Sequence, residues 1–200
     1  MLSEKPNAAS TVDWPASLIK RSVARALKTD WQLQWKNHPT PLKALDILAV
    51  DCSASMVESG ALALAKGVAL ALIERAYQAR RHAALIAFCG HEARLEIAPQ
   101  QASWNNDVWV TSLQGGGGTP LHAALECVQD LLHHQNSYTR QNSYAHRTLW
   151  LLSDARVNHW PSRPAGCDAI YILDFESGPL HLRIGNARAI ARDWRAQYLG

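Results

Sequence analysis

The feature that most constrains the fold is an alternation of apolar strand segments and helical segments that begins at Ala44. Residues 44–50 are a nearly continuous apolar run, as expected of a short strand buried on both faces. Residues 60–78 then carry apolar side chains at helical spacing. This repeated pattern predicts a mostly parallel sheet covered by helices on both faces, which is a three-layer α/β/α doubly wound fold.

The same alternation continues to the end of the chain. Further apolar segments predict strands at 83–88, 147–152 and 168–173, and a hairpin partner at 93–98 that is the one antiparallel strand. Helices are expected at 120–133 and 186–197, with an irregular or weakly helical segment at 108–113. Ligands of such sheets bind beyond the carboxyl ends of the strands, so the residues after each strand are the first candidates for a site.

The first part of the chain follows a different pattern. Residues 1–12 indicate a loose tail, 14–27 a short helix with proline in its first turn, and 31–42 an extended lead-in. We therefore expect an N-terminal tail and lead-in at 1–42 and one domain at 43–200.

Composition excludes several classes of function. The 200 residues carry 20 Lys plus Arg against 17 Asp plus Glu, and this balance is too mild and too scattered to favour nucleic acid as a partner. No apolar stretch approaches the roughly 20 residues of a membrane span, and residues 1–10 lack the apolar run of a signal peptide. The four cysteines show no CxxC spacing, which favours reduced thiols. We expect a soluble, cytoplasmic protein.

A short polar motif follows the first predicted strand of the domain. Asp51, Ser53 and Ser55 are spaced two apart in the turn that leaves this strand, so their short side chains are able to point into one concavity. A carboxylate and two hydroxyls are hard oxygen ligands of the kind that Mg²⁺ or Mn²⁺ prefers. Taken alone, either Asp51 or Ser53 is more often a helix cap.

Two later loops supply further oxygen ligands. Residues 115–118 are four glycines, which allow close backbone approach, and Thr119 follows them just before a predicted helix. Asp154 comes shortly after the predicted strand at 147–152, with Ser153 between them. The glycine loop lacks the Gly-Lys-Ser/Thr of a phosphate-binding loop, and Asp154 alone is typical of a turn. Together with the first motif, however, these residues predict a divalent-cation site.

This arrangement resembles the metal-ion-dependent adhesion site of von Willebrand factor A and integrin I domains, and it implies their Rossmann-like fold. By that resemblance Ser53 and Ser55 are direct ligands of Mg²⁺, or of Mn²⁺ in its place, and Asp51, Thr119 and Asp154 complete the shell. One coordination position stays open for an acidic side chain of a partner protein. The site then docks a partner, and no catalytic residue or further cofactor is implied.

Segments of the chain also resemble the C-terminal domain of the D subunit of magnesium chelatase. The similarity extends from residue 43 to 199 and includes residues 65–67, 76–81, 84–90, 116–121, 151–158 and 184–199. It implies a non-catalytic subunit of an ATP-dependent magnesium or cobalt chelatase in tetrapyrrole or cobalamin biosynthesis. Its partners would be an AAA ATPase subunit, the large chelatase subunit, or both. The alternative is a general adaptor paired with a MoxR-type AAA ATPase.

Some residues depart from the chelatase pattern or lie beside its motifs. The family favours glycine at Ala54 and Ala155 and arginine at Cys89, and this chain contains no Walker A motif, so an ATPase would be a separate polypeptide. Partner contacts are expected after Asp154, with Trp160 as an anchor because tryptophan is enriched at interface hot spots, and with Arg156 and Asn158 beside it.

Overall fold

The computed structural model describes residues 10–12, 35–37, 43–103, 107–137, 144–178 and 183–200. Spatial contacts divide the chain into two units, Met1–Pro41 and Leu42–Gly200. The helix expected at 14–27 and most of the expected lead-in at 31–42 lie outside the described residues.

The first unit contains one strand pair. Strand β1 (Ser10–Val12) is antiparallel to β2 (Trp35–Asn37), with Thr11 opposite Lys36. The loose tail expected at 1–12 is therefore wrong for Ser10–Val12. The partner strand lies more than twenty residues further along the chain, so local sequence patterns carry no sign of the pairing.

The second unit is built on a six-stranded sheet of the described residues. Its strands are β3 (Lys43–Asp51), β4 (His82–Cys89), β5 (Glu92–Gln101), β6 (Tyr144–Ser153), β7 (Ala169–Asp174) and β8 (Gln197–Leu199). Their order is β5-β4-β3-β6-β7-β8, and only the β4–β5 pair of this sheet is antiparallel. The prediction of a mostly parallel sheet with one antiparallel strand is confirmed.

Helices cover both faces of this sheet. They are α1 (Ala54–Glu58), α2 (Ala61–Gln78), α3 (Asp107–Ser112), α4 (Leu121–Ser137) and α5 (Asn186–Trp194). Alternate residues of β3 enter two separate buried clusters, with Ile47 packing on the side of α4 and α5 and Leu48 on the side of α2 and α3. This double burial explains the continuous apolar run of β3 and confirms the three layers.

The end of the chain differs from the sequence-based expectation. The helix expected to reach residue 197 stops at Trp194, because Arg195 adopts a left-handed conformation with φ of 52°. Residues Gln197–Leu199 then form β8, parallel to β7. A three-residue edge strand is stabilised by hydrogen bonds to a distant neighbour, so its own sequence does not distinguish it from a final helical turn.

The topology gathers the candidate residues at one edge. From β3 the chain first adds β4 on one side and later β6 on the other, so the strand order reverses next to the carboxyl end of β3. The loops after β3 and β6 leave the same edge because these strands are parallel. In the described ranges, no helix combines the length and apolar character needed to cross a membrane.

Candidate metal site

The carboxylate of Asp51 is the most deeply buried polar group at this edge. It ends β3, has no exposed surface, and accepts a hydrogen bond at Oδ1 from the backbone N–H of Ser53 at 2.8 Å. At Oδ2 it accepts one from the Ser153 hydroxyl at 2.5 Å. The strands explain this contact, since Val50 pairs with Leu152 and the next residues on each strand are Asp51 and Ser153.

Two serine hydroxyls face each other beside this carboxylate. Ser53 precedes α1 as its N-cap residue and is buried, whereas Ser55 lies in the first turn of that helix and is partly exposed. The two Oγ atoms are 3.1 Å apart. The hydroxyl of Ser53 does not cap the helix, so the capping interpretation of this residue does not describe its side chain.

The glycine loop is hydrogen-bonded to the loop that carries the serines. Gly116 donates to the carbonyl of Cys52 at 2.8 Å, and the carbonyl of Gly117 accepts from Ala54 at 2.8 Å. Gly117 has φ of 77°, and a Cβ on it would lie 2.8 Å from the Cα of Gly90. Glycine is required here because of both the backbone conformation and the close approach of a neighbouring chain segment.

This loop sets the position of Thr119, which lies just before α4. Its side chain is half-buried, and within the described part of the chain its hydroxyl has no hydrogen-bond partner. A threonine hydroxyl that does not cap the helix or bond to the backbone is available to a ligand at this edge.

Asp154 follows β6 and faces an arginine. It is buried, its Oδ1 accepts from the backbone N–H of Arg156 at 3.3 Å, and its Oδ2 lies 3.6 Å from the Nε of that side chain. The turn between them is tight, with Ala155 in a left-handed conformation at φ of 50° and its N–H donated to Ser153 Oγ at 2.8 Å. Arg156 also lies 4.0 Å from the carboxylate of Glu176.

The electrostatics of Asp51 suit a cation. The pKa of Asp51 is raised from its ordinary 3.8 to about 6, chiefly because the carboxyl group is buried; hydrogen bonds from Ser153 and Ser53 act in the opposite direction, and the charge of Asp154 adds to the rise. Among the described residues, no lysine, arginine or histidine forms an ion pair with Asp51. A buried carboxylate without a counter-charge is costly, and a bound cation would remove that cost.

The donor set decides which ions fit. Two carboxylates and three hydroxyls offer only oxygen ligands, which favour Mg²⁺ over ions that prefer thiolate or imidazole. In the described ranges, no cluster of three His, Cys, Asp or Glu side chains is arranged to hold a metal. The candidate set at the edge of the sheet differs from such a cluster because three of its five members are hydroxyls.

The three residues predicted to contact a partner lie in different surroundings. Arg156 is 44% exposed at its side chain and faces Asp154, and Asn158 is exposed. Trp160 instead packs against the cluster between the sheet and α4, and its indole N–H donates to Asp193 Oδ2 at 3.1 Å. Most of the Trp160 ring is thus packed inside the domain, and only part of it is exposed to solvent.

Sequence reasoning missed two side chains that support the site. Ser153 connects Asp51 to the turn at Ala155, and its alternation with Leu151 along β6 was the available signal. Glu176 is buried and accepts hydrogen bonds from the backbone N–H groups of Ile184 and Gly185 at 2.7 and 2.9 Å. No local pattern connects these residues, because Glu176 is eight and nine residues away from its two partners.

Known proteins with similar sequences include magnesium chelatase subunits. The chain is 40% identical over 80 residues to the 60 kDa subunit from Rhodobacter capsulatus, a match that covers 40% of this chain and 14% of that protein. It is 30% identical over 127 residues to the 67 kDa subunit from Chlorobaculum tepidum, covering 60% and 20%. An uncharacterized protein of Mycobacterium tuberculosis is 31% identical over 160 residues, covering 74% and 24%. The chain thus spans less than a quarter of each of these relatives.

The family is shown by the sequence itself. A solved von Willebrand factor type A structure from Catenulispora acidiphila is similar at a TM-score of 0.47 and 14% identity, over 71% of this chain and 34% of that one. The sequence profile of the von Willebrand factor type A domain matches residues 47–156, more than half of the chain, and this segment includes every residue from Asp51 to Asp154. The chain belongs to the von Willebrand factor type A domain family.

Proposed function

We propose that Asp51, Ser53, Ser55, Thr119 and Asp154 hold Mg²⁺ and that the ion docks an acidic side chain of a partner protein. The observation that carries this proposal is the buried Asp51 carboxylate, which has hydroxyl and amide neighbours but no counter-cation in the described ranges. Bound Mg²⁺ would keep one coordination position open, and a carboxylate of the partner would fill it.

The chain's own residues have distinct roles in this proposal. The facing hydroxyls of Ser53 and Ser55 would be direct ligands, and Ser153 would orient Asp51 through its hydrogen bond. Asp154 would add the second negative charge, with Arg156 beside it at the rim. Mn²⁺ would fit the same oxygen ligands.

We further propose that the domain at 43–200, preceded by the segment 1–42, acts as a non-catalytic subunit of an ATP-dependent magnesium or cobalt chelatase in the cytoplasm. The similarity to the 60 kDa and 67 kDa subunits of magnesium chelatase supports this assignment. The partners would be an AAA ATPase subunit, the large chelatase subunit, or both, and the biosynthetic product would be a tetrapyrrole or a cobalamin.

Affinity capture of a cognate AAA subunit by the full chain tests this function. We expect capture in Mg²⁺, loss of capture in EDTA, and loss of capture by the variants Asp51→Ala and Ser53→Ala. Ser162→Ala is the matched control, because Ser162 is exposed and lies outside the site. Circular dichroism would establish that each variant is folded.

The same experiment tests docking through the metal separately from the identity of the partner. Capture that is equally strong in EDTA would refute docking through the metal. Capture of a MoxR-type ATPase in place of the chelatase subunit, with the same dependence on Mg²⁺, would replace the chelatase assignment by the general adaptor and leave the metal site intact.

A further inference from the structure

Two cysteines lie beside the proposed metal site, Cys52 directly after β3 and Cys89 at the end of the neighbouring strand β4. Asp51 on β3 pairs with Phe88 on β4, and the N–H of Cys52 donates to the carbonyl of Phe88 at 2.9 Å, which extends the parallel ladder by one residue. Cys52 therefore lies opposite Cys89. Both side chains belong to the apolar cluster on the α2 side of the sheet, so they point to the same face.

The separation of these cysteines permits a covalent bond. Neighbouring strands lie about 4.8 Å apart, and disulfides join Cα atoms that are about 4.4 to 6.8 Å apart. Both residues are free thiols in this structure. The other two cysteines, Cys127 and Cys167, belong to the cluster on the opposite face of the sheet.

Only one thiol of the pair is accessible from outside. Cys89 is partly exposed and lines a surface pocket of about 390 Å³, together with polar side chains that include His91, Arg94 and Gln114. Cys52 is fully buried behind it. A small oxidant would therefore reach Cys89 first, with Cys52 positioned as the resolving thiol.

We propose that Cys52 and Cys89 form a reversible disulfide that lowers the affinity of the neighbouring site for Mg²⁺, an inference that rests on the proposed metal site. A peroxide oxidises the Cys89 thiol to a sulfenic acid and is reduced to water or an alcohol. The Cys52 sulfur then attacks the Cys89 sulfur, the disulfide forms, and the sulfenic hydroxyl leaves as water with the thiol proton. A dithiol reductant reverses the reaction.

The position of Cys52 connects this bond to the metal. Cys52 lies between Asp51 and Ser53, and its backbone N–H and carbonyl bond to β4 and to Gly116. A disulfide needs Cβ atoms about 3.8 Å apart, closer than aligned Cβ atoms on strands about 4.8 Å apart. Bond formation therefore pulls the Cys52 backbone towards β4, and Mg²⁺ tolerates little displacement of its ligands.

Peptide mapping and calorimetry of the full chain test this inference. Trypsin places Cys52 and Cys89 on separate peptides, 44–66 and 82–94, and the other two cysteines lie on two further peptides. After hydrogen peroxide treatment we expect the 44–66 and 82–94 peptides to be linked under non-reducing conditions. We expect the dissociation constant for Mg²⁺ to rise by about tenfold or more, and dithiothreitol to restore it.

Two variants make the result specific. Cys89→Ser should retain Mg²⁺ binding and lose both the linked peptide and the response to peroxide, whereas Cys127→Ser should behave as the unmodified protein. Sulfenic acid at Cys89 without the linked peptide would refute the pairing, and a linked peptide with unchanged Mg²⁺ affinity would refute the coupling. Failure of the reduced protein to bind Mg²⁺ would refute the metal site itself, while the peptide map still decides the pairing.

Discussion

Strand β3 buries two aspartates in opposite ways. Asp46 lies in the first half of the strand, where its two oxygens contact Arg81 at 2.8 and 2.9 Å and one also accepts from the Trp150 indole at 3.1 Å. Asp51 ends the strand and has only hydroxyl and amide donors. The comparison teaches that a buried aspartate in this fold can be neutralised by an arginine, whereas Asp51 is buried without a counter-cation among the described residues, which is the observation on which the proposed metal site rests.

The two aspartates also serve different faces of the sheet. They are five residues apart on a strand with a period of two, so Asp46 points towards the α2 side and Asp51 towards the α4 side. Each aspartate also has a different hydroxyl neighbour on β6. Arg81, the partner of Asp46, donates to Thr148 at 3.3 Å, whereas Asp51 accepts directly from Ser153. Changes at one aspartate should therefore leave the other largely unaffected.

The largest effect should follow from Arg81→Ala. This change leaves the buried Asp46 carboxylate without its counter-charge, so the free energy of unfolding should fall by about 3 to 5 kcal/mol in urea denaturation. Arg94→Ala is the control, because Arg94 pairs with Glu92 at the surface and should matter far less. Mg²⁺ affinity should be unchanged in both variants. A large loss of Mg²⁺ affinity in Arg81→Ala would show that the two aspartates are not independent.

In the metal-free protein, Asp51 should make the free energy of unfolding depend on pH. Its folded pKa of about 6 lies above its ordinary 3.8, so its contribution to stability is fully present below the lower value and is lost as the pH rises through about 6. The difference corresponds to about 3 kcal/mol. In urea denaturation with EDTA, the free energy of unfolding of Asp51→Asn should exceed that of the unmodified protein by this amount at pH 7.5. The two free energies should differ little near pH 4.

Saturating Mg²⁺ should abolish that dependence, since a bound cation keeps the carboxylate ionised. Asp130→Asn is the matched control, because Asp130 is exposed and should show no such gain. If Asp51→Asn and the unmodified protein have the same stability at every pH, Asp51 carries no uncompensated charge and the contrast with Asp46 disappears.

A smaller effect is expected from Ser153→Ala. Loss of the hydroxyl removes the hydrogen bond that orients Asp51 and the acceptor for the N–H of Ala155, so Mg²⁺ affinity should fall about tenfold in calorimetry. The pKa of Asp51 should also rise, because this hydrogen bond lowers it. Ser162→Ala should change neither quantity, and unchanged affinity in Ser153→Ala would show that Asp51 needs no such support.

The smallest effect is expected from Ala155→Gly. Ala155 has φ of 50°, where a Cβ is unfavourable, so glycine should raise the free energy of unfolding by about 1 kcal/mol. Ala54→Gly provides the opposite case, since Ala54 begins the short helix α1 and glycine should destabilise it by about 0.5 to 1 kcal/mol. Changes of the same sign in thermal or urea unfolding would contradict this backbone explanation.

The sequence by itself determined the type of fold and the candidate ligands. The apolar run at 44–50 and the helical pattern at 60–78 predicted β3 and α2 within a few residues, because β3 is buried on both faces and α2 is long with apolar residues at helical spacing. The order of Asp51, Thr119 and Asp154 after such elements was enough to predict a cation site. It was also enough to predict the family, which the profile match confirms.

Only the tertiary structure decided how these groups are supported. The pairing of Ser153 with Asp51, of Arg81 with Asp46 and of Cys52 with Cys89 depends on strand register between segments that are distant in sequence. The same holds for β8, which exists through its hydrogen bonds to β7. Local patterns record how one segment buries its own side chains, whereas the partner of a buried charge is set by which segments the fold brings together.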